Sequence, residues 1–162
     1  MKGSDSVMAL EAVGRALALR RQHGERVVLT NGCFDLLHPG HLDILRQARE
    51  QGDCLVVAVN TDESVRRLKG AGRPVTLLAE RMELLAAVRW VDYVVSFDEE
   101  TPIEVVRELQ PEVYAKGADW RSRPLIEADL ARELGGEVIF LDLLPGYSTT
   151  QIIDRIRATH GC

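Results

Sequence analysis

Cysteine is scarce: Cys33, Cys54 and Cys162 are the only three in 162 residues, and they form no C-x-x-C pair. That odd, scattered set excludes a disulfide framework and a four-thiolate zinc site, so the thiols are read as reduced and Cys54, opening an apolar strand, as a small core residue. Long apolar runs are missing too. No stretch approaches the ~20 residues that cross a bilayer, and the opening Met1-Lys2-Gly3-Ser4-Asp5-Ser6 lacks the apolar centre of a signal peptide. The expected location is the cytoplasm, with no membrane partner. Nor is positive charge in excess: 25 acidic against 20 basic side chains leave a net charge of -5, which argues against nucleic acid held by a basic face. There is no P-loop signature, internal repeat or low-complexity tract.

What is present is a globular composition, 46% hydrophobic and 28% charged, in a length that suits one domain with a sizeable core. Residues 1–24 read as an N-terminal helix or extension, with Leu10, Val13, Ala16 and Leu17 at helical spacing and Gly24 at its stop; residues 25–162 read as the main domain. A short strand, Val27-Val28-Leu29-Thr30, leads through a glycine-bearing loop to a helix opening at Pro39 and ending near Gly52. Cys54 to Val59 is an unbroken apolar run, the pattern of a strand buried on both faces of a parallel sheet. Residues 60–74 read as a polar loop. Helices over 77–89, 102–109 and 124–134 then alternate with strands over 93–95, 112–115 and 137–141, and a last helix starts around Ser148. This alternation predicts a doubly wound, Rossmann-like α/β domain with a parallel sheet of roughly five strands. Ligands of such sheets bind beyond the carboxyl ends of the strands.

The first such loop runs Asn31-Gly32-Cys33-Phe34-Asp35-Leu36-Leu37-His38-Pro39-Gly40-His41. If the helix starts at Pro39, the two imidazoles converge beside its N-terminus, where free N–H groups and the helix dipole attract anions, and Gly32 and Gly40 let backbone approach a ligand. A lone H-x-x-H is more often coincidence. Zinc would need further ligands, for which only Asp35 and Cys33 lie near. Lys69, Arg73 and Arg81 flank a glycine-bearing segment; the bland reading is a solvated basic loop, the functional one a set of cations for phosphates. After the 112–115 strand come Lys116, Gly117, Asp119 and Trp120, which suit a grip on sugar hydroxyls or a base, with Trp120 as packing the equal alternative. Ser148, Thr149 and Thr150 stand where the last helix should begin, either as a plain N-cap or as a phosphate cradle.

The string Gly32-Cys33-Phe34-Asp35-Leu36-Leu37-His38-Pro39-Gly40-His41 resembles the G-x-F-D-x-x-H-x-G-H signature of the H-x-G-H nucleotidyltransferases, in their cytidylyltransferase-like branch. Ser148-Thr149-Thr150 stands at the place of that family's second signature. The resemblance covers about Arg26 to Arg157 and is nearest to the adenylyltransferases of ADP-heptose synthesis. It is carried there by Arg73-Pro74-Val75, the Arg81 to Leu85 spacing, Lys116-Gly117-Ala118-Asp119, Gly135-Gly136-Glu137-Val138 and the final S-T-T-x-I-I. The sequence departs from that branch at Thr76-Leu77, Ala118 and Trp120.

The resemblance implies AMP transfer from ATP to D-glycero-β-D-manno-heptose 1-phosphate for the lipopolysaccharide core, with release of pyrophosphate. His38, His41 and Lys69 would hold the α-phosphate, and Arg73 and Arg81 would orient the incoming phosphate. Ser148, Thr149 and Thr150 would take the β- and γ-phosphates. Asn31, Gly32, Phe34, Gly40, Lys116 and Gly117 would line the nucleotide, and Asp119 and Trp120 the sugar. Magnesium is expected to ride mainly on the phosphates, with Asp35 the candidate protein ligand. A homodimer and a separate sugar kinase upstream are further expectations. A glycerol-3-phosphate cytidylyltransferase using CTP and a catalytically silent nucleotide-binding module remain open alternatives.

Overall fold

The computed structural model describes residues 6–161; the first five residues of the extension and Cys162 lie outside them. Seven helices and five strands follow in the order α1 (Leu10–Gln22), β1 (Val27–Gly32), α2 (Pro39–Arg49), β2 (Cys54–Asn60), α3 (Asp62–Lys69), α4 (Leu78–Ala86), β3 (Tyr93–Phe97), α5 (Ile103–Leu109), β4 (Val113–Gly117), α6 (Ile126–Glu133), β5 (Glu137–Leu141) and α7 (Thr149–His160). All pairings are parallel, in the strand order β3-β2-β1-β4-β5. The doubly wound sheet expected from the alternation is what forms. The chain winds outward from β1 to β3, then returns to β1's other side, so the switch point lies between β1 and β4.

Alternation along each strand sorts the core into two layers. Val27 and Leu29 of β1 and Val56 and Ala58 of β2 meet Val13 and Leu17 of α1, Val105, Val106 and Leu109 of α5, and Ala128 and Ala131 of α6. Val28, Leu55, Val57 and Val59 face the opposite way, onto Leu45 and Ala48 of α2 and Met82, Leu85 and Ala86 of α4. Every residue of β2 is buried, which is why its sequence shows no polar alternation. The leading helix is thus part of the same folded body, with Val13 and Leu17 fully buried. Among the described residues no helix is long and apolar enough to cross a membrane.

One element differs from the reading of residues 60–74 as loop: Asp62–Lys69 is helical. This helix is short and mostly polar, with only Ser64 and Val65 buried, and its ends help to hold it. The Thr61 hydroxyl accepts from Ser64 N–H, Asp62 and Glu63 sit in the first turn, and Arg66, Arg67 and Lys69 in the last. Each matches the helix dipole.

Candidate active site

The loop between β1 and α2 is the most constrained part of the structure. Phe34 and Leu36 both adopt left-handed backbone conformations, with φ of 49° and 51°, which non-glycine residues hold only when surroundings over-determine them. Two side chains supply that constraint. The buried Asp35 carboxylate accepts from Val75 N–H, Thr76 N–H and the Thr76 hydroxyl and is paired at 2.9 Å with Arg73. Burial by itself would raise this carboxyl, but the Thr76 and Val75 amides, then Arg73 and the Thr76 hydroxyl, hold it below the usual carboxylate range. Arg81 of α4 is fully buried; its guanidinium donates to Cys33 O at 2.6 Å, to Thr76 O at 3.1 Å and to Asp62 Oδ1 at 2.7 Å. It ties the β1–α2 loop, the 73–76 segment and the start of α3 together.

On this platform the two histidines meet. His38 is the N-cap of α2, and its Nδ1 accepts from His41 N–H at 3.3 Å, with Pro39 at the first helical position. With that lone pair engaged, the neutral His38 ring carries its proton on Nε2. The two imidazoles stack, with centroids 3.8 Å apart and planes 21° from parallel, and Phe34 leans on His41 at 5.3 Å. Burial, and secondarily the neighbouring His38, pushes His41 down to about 4, and burial lowers His38 as well. Both rings are neutral near pH 7, as close stacking requires. His41 Nδ1 is buried with no hydrogen-bond partner among the described residues, a polar atom left for a ligand or water.

The start of α7 faces this pair. Gly40 makes the approach possible: a Cβ there would lie 3.0 Å from the His38 ring and 3.2 Å from Tyr147 Cβ, just before α7. Thr149 Oγ1 donates to Asp35 O at 2.7 Å, and Arg73 Nη2 lies 3.5 Å from Thr150 Oγ1. The Ser148 hydroxyl accepts from Gln151 N–H as the N-cap and keeps its own proton to donate. The plain capping reading therefore holds for Ser148, and beside it stand Thr150 and the N–H groups of the first turn, which have no partner within the helix. Lys69 and Arg73 line a cleft of about 510 Å³ with Leu36, Val75, and Ile153, Ile156 and Arg157 of α7.

The β4 end brings a second group of predicted residues together. Lys116, only 7% exposed, donates from Nζ to Asn31 Oδ1 at 2.8 Å and stands 4.8 Å from the Trp120 ring centroid. Arg123 lies 5.1 Å from the same ring, so Trp120, in a short 3₁₀ turn over Ala118–Trp120, is a seat for cations. Gly117 is tight: a Cβ would come 2.6 Å from Asp119 Oδ1 and 3.2 Å from Leu143.

Two assignments from the sequence change. Arg81 is not placed to orient an incoming phosphate, because no part of it is exposed and each of its three nitrogens donates to the scaffold. Asp35 does not offer a metal ligand, since both oxygens are taken by Arg73, Val75 and Thr76. Among the described residues no group of three His, Cys, Asp or Glu could hold a metal ion. Residues the sequence did not single out also enter: Asp62, which pairs with Arg81, and the buried Tyr114 and Glu127, whose hydroxyl and carboxylate lie 3.4 Å apart. Nothing in their spacing marks them; only the packing of β4 on α6 does.

The profile of the cytidylyltransferase-like family matches residues 29–155, most of the described chain. The chain belongs to the cytidylyltransferase-like family. Its relatives include the bifunctional protein HldE of Methylococcus capsulatus, 54% identical over 138 residues, 85% of this chain and 29% of that protein. The HldE of Gluconobacter oxydans is 46% identical over 153 residues, 94% of this chain and 32% of that protein. The chain thus spans about a third of the length of these relatives. A lipopolysaccharide core biosynthesis protein from Thermoplasma volcanium has a similar structure, with a TM-score of 0.62 at 27% identity over 75% of this chain and 98% of that one. A pantoate-β-alanine ligase from Francisella tularensis, at 10% identity and a TM-score of 0.60 over 94% of this chain and 77% of that one, shares the fold. In this family member the motif histidines and the S-T-T segment are the residues the two helix tips bring face to face.

Two measurements test this geometry. NMR titration of His41 is expected to show a neutral ring through pH 5, with its midpoint at about 4. Because the folded state binds fewer protons on His41 than the unfolded chain does, stability should fall as pH drops from about 6.5 toward 4. A midpoint near 6.5 in the free protein would contradict the buried stack. Arg81→Lys keeps the charge but not the fork, so it is expected to lower the melting temperature. A wild-type value would show that the clip is dispensable.

Proposed function

We propose that this chain transfers AMP from ATP to D-glycero-β-D-manno-heptose 1-phosphate and releases pyrophosphate. The carrying observation is the neutral, stacked His38–His41 pair with the hydroxyl-bearing start of α7 packed beside it at Gly40 and Asp35. The choice of sugar is supported by the motif resemblance and by the names of the HldE and lipopolysaccharide-core relatives.

The nucleophile, an oxygen of the sugar 1-phosphate, is already ionised near neutral pH, so attack on the α-phosphorus needs positioning and charge stabilisation more than a general base. The α-phosphoryl group would sit at the N-terminus of α2, where His38 Nε2–H and His41 donate to oxygens whose charge grows in the transition state. The first turn of α7, with Thr150, receives the β- and γ-phosphates, and pyrophosphate leaves along it. Arg73, 3.5 Å from Thr150 Oγ1, and Lys69, which lines the neighbouring cleft with it, draw the incoming phosphate toward the reacting atom. Asn31, Gly32, Phe34, Lys116 and Gly117 serve the nucleoside side, and Asp119 and Trp120 the sugar. Magnesium enters as part of the Mg·ATP substrate, in keeping with the lack of a free carboxylate oxygen on Asp35. A cytoplasmic homodimer fed by a sugar kinase completes the reading. The dimer is supported by exposed apolar side chains on α3, α7 and the segment between α3 and α4, among them Leu68, Val75, Leu77 and Ile156.

Pyrophosphate release from ATP and from CTP, each with heptose 1-phosphate or glycerol 3-phosphate, tests the substrate. ATP with heptose 1-phosphate is expected to dominate, and His41→Ala to lower its kcat by ~10²–10³. Dominance of CTP with glycerol 3-phosphate would overturn the substrate, and ATP binding without turnover would point to a silent module. Turnover of His41→Ala within a few-fold of wild type would remove the histidine pair from catalysis.

A further inference from the structure

Tyr114 and Glu127 take no part in the transfer described above, yet they are the buried polar groups directly behind it. Tyr114, in the middle of β4, is fully buried among apolar side chains, and Glu127 of α6 is only 4% exposed. The Tyr114 hydroxyl lies 2.6 Å from Asn31 Oδ1 and 3.4 Å from Glu127 Oε1. Asn31 Oδ1 is also the acceptor of Lys116 Nζ. An ammonium has no lone pair to offer, so the atom facing Lys116 must be the carboxamide oxygen, and the phenol donates to that same oxygen. Flipping the amide would set its NH₂ against two donors. Its NH₂ therefore stays turned away from them, as a donor for a ligand.

Lys116 needs a counter-charge in this place. Burial lowers its pKa, and the charge of Glu127, then those of Asp119 and Cys33, oppose the drop. Asn31 from β1 accepts from the ammonium and the Trp120 ring of the 3₁₀ turn lies against it, while Glu127 of α6 stands behind them, 3.4 Å from the Tyr114 hydroxyl that shares Asn31 Oδ1; Asp119 of the 3₁₀ turn and Cys33 of the β1–α2 loop are the other titratable groups that bear on it. Arg123 shares the Trp120 ring and adds a like charge nearby. Of the carboxylates, Glu127 is the buried one, and its field is the least screened by water. A leucine and a methionine would fill the space of Tyr114 and Glu127 without desolvating a carboxylate, so packing does not account for this pair.

Resting on the reading that Asn31 and Lys116 meet the nucleotide, we propose that Tyr114 and Glu127 are positioning residues: the phenol locks the Asn31 carboxamide with its NH₂ toward the nucleotide, and the Glu127 carboxylate is the counter-charge that allows an ammonium at Lys116. Neither touches substrate.

The test uses the full chain and four variants, Glu127→Gln, Glu127→Asp, Tyr114→Phe and Lys116→Met. The readouts are ATP binding by calorimetry, kcat/KM for ATP against pH, and melting temperature. Glu127→Gln is expected to move the alkaline limb of the profile down by about one pH unit, because Lys116 loses its proton more easily, while Glu127→Asp keeps the limb in place. Tyr114→Phe is expected to leave the limb alone and raise the Kd for ATP about fivefold, the effect of one lost hydrogen bond. Lower melting temperatures with an unmoved limb and unchanged ATP binding would mean a structural role and overturn the proposal. If Lys116→Met loses ATP binding while Glu127→Gln keeps the wild-type limb, the site reading stands and this inference alone falls. If Lys116→Met binds ATP as wild type does, the reading of Lys116 falls and the proposal with it.

Discussion

The buried Asp35 carboxylate is the point on which the site depends. It draws in three donors from the 75–76 segment and the Arg73 guanidinium, while its own backbone carbonyl holds Thr149 at the head of α7. Arg81 works from beneath, binding the carbonyls of Cys33 and Thr76 and the Asp62 carboxylate. Buried charges of this kind are costly unless every donor and acceptor is matched, and here the matching partners come from four separate segments of the chain. The backbone conformations at Phe34 and Leu36, unfavourable by themselves, persist because these contacts leave the loop no alternative.

From that platform the electrostatics of the cleft follow. On the reaction proposed, an acidic protein can receive a triphosphate and a sugar phosphate only if local cations and helix N-termini offset the repulsion, and α2 and α7 offer their first turns and Lys69 and Arg73 their side chains. The histidines add direction rather than charge. Held neutral by burial, they present fixed donors at the α2 tip, and in the proposed transfer such donors would stabilise charge as it develops without reorganisation. On the β4 side the same logic runs through a buried network, in which Tyr114 and Lys116 share the oxygen of Asn31.

Much of this was legible in the chain because it is local. The apolar run from Cys54 to Val59, the Pro39 start of α2 and the Ser148 cap of α7 each follow from neighbours in sequence, and the structure has them as read. The helix over Asp62–Lys69 was not, since eight mostly polar residues between a polar strand end and a glycine-bearing segment read as loop when so few of them are apolar. Arg81 was misassigned for a related reason. A cation near a phosphate-binding segment reads as a phosphate ligand until packing shows that its donors are consumed inside. Thr149 likewise spends its hydroxyl on Asp35 O.

The sequence by itself determined the parallel doubly wound sheet, the two anion-attracting helix starts and the pairing of His38 with His41, because strand burial, capping and i to i+3 spacing are properties of adjacent residues. Only the tertiary structure decided which charged groups face the cleft and which carry the frame. Solvent access and long-range partners set the use of a guanidinium or a carboxylate, and these arise when segments such as Asp35 and Val75, or Arg81 and Asp62, fold against one another.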